Sequence, residues 1–88
     1  MSQPLSIGRI VHFQIERDVW RPAIVTSVHG DGSLGNLTIF LDALNDTRLI
    51  DVDDLTKIGV EVIDEAHASV GSAMEGSEPG CWRWPPRA

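Results

Sequence analysis

The three tryptophans and the arginines beside them are the side chains best suited to chemistry in this 88-residue chain. The stretch Pro79-Gly80-Cys81-Trp82-Arg83-Trp84-Pro85-Pro86 lies near its end, and Trp20-Arg21 repeats the pairing of an indole with a guanidinium. An indole offers a π face on which a planar ring stacks. A guanidinium offers a flat fork that meets a phosphate through two parallel hydrogen bonds. The combination suits a small nucleotide better than a duplex. In an extended segment alternate side chains share a face, so Trp82 and Trp84 are expected side by side with Arg83 opposite. Such indoles either close a small core or line a binding surface, and both readings stand at this level. His12 joins Trp20, Arg21, Trp82, Arg83 and Trp84 in the candidate ligand-binding set. The plain alternative for either arginine alone is a surface pair with one of the abundant acids.

The other chemistry-bearing residues follow no catalytic pattern. Asp51, Asp53 and Asp54 are close enough for acid–base or metal work, but they lack calcium-loop spacing and read as a solvated loop. His12, His29 and His67 form no H-x-E or H-x-H arrangement, and no zinc-spaced cluster, nucleophile elbow or P-loop occurs. Gly30-x-Gly32-x-x-Gly35 matches the bare glycine fingerprint of dinucleotide sites, yet it lies between two predicted strands and opens no helix, so it reads as turn chemistry. Cys81 has no basic partner in sequence and reads as a small, partly buried apolar residue. The expectation is a protein that is not an enzyme, with no cofactor and no metal.

Short strands must position the candidate residues. Residues 1–6 read as a flexible tail, and residues 7–88 as a single domain. Ile7 to Ile15 alternates, with Val11, Phe13 and Ile15 on one face and Ile10 and His12 on the other. Gly8 lets that strand enter the sheet tightly. After the polar connection Glu16-Arg17-Asp18-Val19, Trp20-Arg21-Pro22 leads into the β-branched run Ala23 to His29, with Pro22 at a strand start or edge. Gly30 to Asn36 reads as a turn, and Leu37 to Leu41 as the antiparallel return strand. Asp42 to Thr47 is a polar loop, and Arg48 to Val52 a further strand. Asp53-Asp54 suits the opening of a short helical turn. Ile58 to Ile63 is a strand, and Ala68-Ser69-Val70 pairs briefly with the sheet. Residues 70–79 read as a long flexible loop before the Trp82 strand, which Pro85-Pro86 ends. This pattern predicts an all-β fold, a small SH3-like barrel of five or six short antiparallel strands, closed so that no edge is left open.

Charge narrows the partners. The net charge is −6, and Asp42 to Glu65 carries all of it, with eight acids against Arg48 and Lys57. A duplex-binding protein needs a basic footprint, so no duplex nucleic acid is expected. A local anion site stays open, because Arg9, Arg17, Arg21, Arg48, Arg83 and Arg87 all lie outside the densest acidic run. A single cysteine excludes an intramolecular disulfide. The N-terminus lacks a signal-peptide pattern and no apolar run reaches ~20 residues, so the expectation is a cytoplasmic protein with no membrane partner. Self-association into a homo-oligomer would add stability to so small a domain.

Four motifs in order, Ile7-Gly8-Arg9-Ile10-Val11-His12, Arg21-Pro22-Ala23-Ile24-Val25, Asn36-Leu37-Thr38-Ile39-Phe40-Leu41-Asp42 and Pro79 to Pro85, give the chain a resemblance to a group of small tailed-phage proteins. The resemblance implies a phage origin and a small β-barrel, and it implies no activity. The chain departs from that pattern with Arg83 in place of a histidine between the tryptophans, and with a longer acidic segment over Thr47 to Glu65.

Two functions follow as expectations. In the first, the chain is a phage accessory protein that sequesters a small nucleotide-type signal of host defence in the infected cell's cytoplasm. A pocket holding Trp and Arg side chains, at a subunit interface, would mark it. In the second, it is a protein-interaction module that inhibits a host defence protein through its acidic face or serves virion assembly. A chromatin-reader barrel, suggested by Arg21 to Val25, is the weakest reading, since the acidic balance opposes it.

Overall fold

The computed structural model describes residues 4–42 and 52–86, and six strands account for most of them. These are β1 (Ile10–Glu16), β2 (Val19–His29), β3 (Leu34–Phe40), β4 (Val60–Val62), β5 (His67–Glu75) and β6 (Cys81–Arg83), with one short helix, α1 (Val52–Lys57), before β4. Hydrogen-bonded neighbours run β3-β2-β1-β6-β5-β4, and β3 also pairs with β5. The extra pairing closes β3, β2, β1, β6 and β5 into a five-stranded barrel, and β4 is added against β5. The expected small all-β, SH3-like barrel is therefore the fold. One pair departs from the antiparallel expectation: β5 and β6 run parallel over Met74↔Cys81 and Glu75↔Trp82.

The inward faces are those the alternation marks. Val11, Phe13 and Ile15 of β1, Ala23 and Val25 of β2, Leu37 and Ile39 of β3, and Ala68, Val70 and Ala73 of β5 are buried together with Trp82 of β6. Asp53 and Asp54 occupy the first turn of α1, where acids favour the helix N-terminus, and Leu55 turns from the helix into the core. The strand read over Arg48 to Val52 lies outside the described residues except for Val52, which opens α1.

Several boundaries differ from the sequence reading, each for a local reason. Residues 7–9 are not strand: Ile7-Gly8 forms a turn, Gly8 has φ +88°, and β1 begins at Ile10. Pro22 lies inside β2, not at its start, but pairing with β3 stops at Ala23↔Ile39, so the missing N–H falls beyond the last β3 partner. The turn after β2 is shorter than expected, and Leu34 to Asn36 belong to β3. Gly35 serves there as a close-packing residue, because a Cβ would stand 2.7 Å from Leu5 Cδ1. Leu5 itself is buried and donates its N–H to Gly32 O at 2.9 Å, so residues 4–6 are seated on the barrel where the sequence suggested a free tail.

The largest difference is β5, which runs to Glu75 through a stretch read as a loop. A bulge explains it. Ser72 has φ +53°, its N–H bonds Asn36 Oδ1 at 2.9 Å, and the inward face shifts from Ala68 and Val70 to Ala73. A broken period of two hides a strand from alternation. The loop proper is Gly76 to Gly80.

Candidate functional site

The pairing of β6 with β1 and of β1 with β2 assembles the site. His12 lies opposite Arg83 on one side and Pro22 on the other. Gln14, two residues on and on the same face, lies opposite Trp20. This face is the outer wall of the barrel, since Val11, Phe13 and Ile15 turn inward. Arg83 extends over it until its guanidinium carbon lies 3.9 Å from the centre of the Trp20 ring. Three predicted residues, His12, Trp20 and Arg83, therefore meet on one wall although they come from three strands.

Trp82 does not join them. It lies opposite Phe13, is 1 % exposed, and is the largest side chain in the core. Trp84 is half-buried at the barrel's end and packs against that core. Its ring meets Trp82 edge to face, with centroids 5.5 Å apart. The two indoles are thus neighbours, with Arg83 turned the other way, as an extended segment requires. Arg21 follows Trp20 on β2, lies opposite Phe13, and gives an Nη1 hydrogen bond to the Trp20 carbonyl at 2.9 Å. That bond holds one end of the Arg21 guanidinium on its own strand.

Two residues of the region were not in the candidate ligand-binding set. Arg9 lies over Trp84, with its guanidinium carbon 5.4 Å from the ring centre. Its spacing of two from Val11 was the available signal. Gln14 is 2 % exposed, the one buried polar residue of the described chain. It donates from Nε2 to Ser77 O at 2.9 Å and accepts from Asp18 N–H at 3.1 Å through Oε1. Its backbone carbonyl also accepts from Gly80 N–H at 2.8 Å. One glutamine thus ties the β1–β2 turn and the loop before β6 together, and both flank the Arg83–Trp20 stack. A lone glutamine in an alternating strand carries no sequence signal for this.

The electrostatics of the wall are unusual for an acidic chain. Neither the His12 nor the Arg83 side chain makes a hydrogen bond or ion pair among the described residues, whereas the His29 side chain bonds Asn36 and that of His67 bonds Asp64. His12 Nδ1 and Arg83 Nε are shut off from solvent without a partner, as is Trp82 Nε1. Burial, and after it the Arg83 charge, holds the His12 pKa below the ordinary imidazole value. The wall can thus offer a fixed cation backed by an aromatic plane, with an imidazole beside it. No group of three or more His, Cys, Asp or Glu side chains is placed to hold a metal ion among the described residues.

A groove of about 440 Å³ lies elsewhere, between α1 and β4, lined by Val52, Thr56, Gly59, Val60, Glu61 and Val62. It holds neither Trp nor Arg. No helix among the described residues is long and apolar enough to cross a membrane. Compared with protein-family models, curated proteins and solved structures, the chain matches none.

Proposed function

We propose that this protein is a non-enzymatic binding protein that captures a small, anionic, nucleotide-type ligand on its outer wall at Trp20, Arg83 and His12. The observation that carries the reading is the Arg83–Trp20 stack. A half-buried arginine has its guanidinium carbon 3.9 Å from an indole centre with no carboxylate partner among the described residues, in a chain with 13 acids to choose from. Such a guanidinium is already oriented, so a phosphate gains two hydrogen bonds without the cost of ordering the side chain.

With the resemblance to tailed-phage proteins, capture of this kind suits an accessory protein that removes a nucleotide signal of host defence stoichiometrically. The wall is open, so a second copy of the chain laid over it would enclose the ligand and supply the subunit-interface pocket that such a function calls for. The test is a thermal-shift screen of the purified protein and of Arg83→Ala against cyclic dinucleotides and ADP-ribose derivatives, with light scattering for the oligomeric state. A ligand that binds the folded form raises the unfolding midpoint by mass action. The expected result is a shift in the wild type that Arg83→Ala abolishes, with the ligand recovered unchanged after denaturation. A wild type that shifts with no member of the panel sinks the reading.

A second reading rests on a different surface. Asp53, Asp54, Glu61, Asp64 and Glu65 are all exposed, and Glu61 lines the groove between α1 and β4. An exposed acidic segment beside a mostly apolar groove suits a protein partner with a basic contact face, such as a host defence protein or a virion component. A pull-down from infected lysate that depends on Asp53, Asp54 and Glu61, and not on Arg83, would favour it.

A further inference from the structure

We infer that His12 is the second donor of the outer-wall site, held beside Arg83 as the neutral tautomer with its proton on Nε2. The inference rests on the binding reading above and names the residue that fixes how an anionic group sits there. Of the three histidines, His12 alone has no side-chain hydrogen bond, and it lies directly opposite Arg83 in the β1–β6 register.

The two ring nitrogens are not equivalent. Nδ1 is excluded from solvent and bonds nothing, while Nε2 keeps contact with solvent. The groups that face the ring are Arg83 on β6, Pro22 on β2, and Ile10 and Gln14 on its own strand, with Trp20 on the diagonal. Arg83 is the one charge among them, and the carboxylates of neighbouring elements, Glu16 and Glu75, form no ion pair with it. An N–H at Nδ1 would be a donor shut off from solvent with no acceptor, and the Arg83 charge across the strand pair disfavours a donor there, whereas an N–H at Nε2 reaches water. The proton therefore sits on Nε2, on the solvent side.

The outcome is a site with one fixed positive charge and one neutral donor. An anionic group with two acceptor oxygens satisfies both, one oxygen on the guanidinium and one on the imidazole N–H. A hydrogen bond to a charged acceptor is among the stronger ones, and its loss is expected to lower affinity about tenfold or more. Glutamine places an N–H close to the position of Nε2, so His12→Gln is expected to retain most of the binding that His12→Ala loses.

Two measurements on the full chain test this. Nitrogen-15 NMR of the imidazole at pH 7.5 reads the tautomer in the free protein, before any ligand is added. The expected pattern is a protonated Nε2 and a bare Nδ1; a protonated Nδ1 overturns the inference. Titration with sodium sulfate, a dianion that does not titrate in this range, is then followed at the His12 and Arg83 side-chain signals for the wild type, His12→Ala, His12→Gln and Arg83→Ala. Loss in His12→Ala with rescue in His12→Gln supports the inference. Equal affinity in His12→Ala and wild type, with loss in Arg83→Ala, overturns the role of His12 and leaves the site standing. Unchanged sulfate binding in Arg83→Ala, or no binding by the wild type, removes the anion site and with it this inference.

Discussion

The Arg83 guanidinium reaches from β6 across β1 to lie 3.9 Å above the Trp20 ring on β2. It thereby crosses the row formed by His12 and Gln14 on β1. A cation over an indole contributes about 0.5–1 kcal/mol at an exposed site, more where solvent is excluded. A double-mutant cycle with Trp20→Ala and Arg83→Ala, read by chemical denaturation, should give a coupling of about 0.5–1 kcal/mol. Additive effects would mean that the stack does not form in solution.

Trp82 and Trp20 should separate by their roles. Trp82→Ala removes the largest core side chain and is expected to cost about 3–5 kcal/mol. On a domain of this size that loss consumes much of the stability, and the variant should populate unfolded chain at room temperature. Trp20→Ala, on the wall, should keep the fold and lose capture. Far-UV circular dichroism with temperature distinguishes the two; equal destabilisation would contradict the assignment of Trp20 to the surface.

Gln14 should matter more than its chemistry suggests. Gln14→Ala leaves Ser77 O and Asp18 N–H without their partner, at a cost of about 1–3 kcal/mol. The effect should be local as well as global. Amide exchange at Asp18 and through residues 76–80 should quicken under conditions in which Val25 and Ile39 stay protected. Unchanged exchange in both loops would show that the glutamine does not tie them.

His12 sets the sign of one pH dependence. Its folded pKa lies below the ordinary value of about 6.5, so between the two the unfolded chain binds more protons. Stability from this group is complete above pH ~6.5 and falls as pH drops through that value toward the folded pKa. Asp31 and Asp64 are also lowered, but as carboxylates they act in a more acidic range. The unfolding midpoint of the wild type should therefore decline from pH 7.5 to 5.5 more steeply than that of His12→Gln. Parallel declines would contradict the depressed imidazole.

How much of this was legible follows from what each residue signals. Val11, Phe13, Leu37 and Ile39 alternate cleanly, and the barrel's inner face could be read from them. Ala68 to Glu75 could not, because the bulge at Gly71-Ser72 shifts the period and the residues are small. The neighbourhood of Trp82 and Trp84 followed from spacing alone, but the burial of one and not the other depends on which strand lies opposite. Phe13 faces Trp82 and His12 faces Arg83, a register that two segments some seventy residues apart do not announce. The same register carries Arg83 to Trp20, so the site is a product of closure and not of any one motif.

The most direct measurement uses the three indole N–H signals of the protein in a nitrogen–proton correlation spectrum. Each member of the nucleotide panel is added in turn, with the backbone assigned in parallel. We expect a binder to move the Trp20 indole and the His12 and Arg83 side-chain signals, and to leave the Trp82 indole, buried in the core, in place. Movement confined to Val52, Val60 and Val62 with Trp20 unmoved, or no movement with any member, would contradict a ligand site on the outer wall.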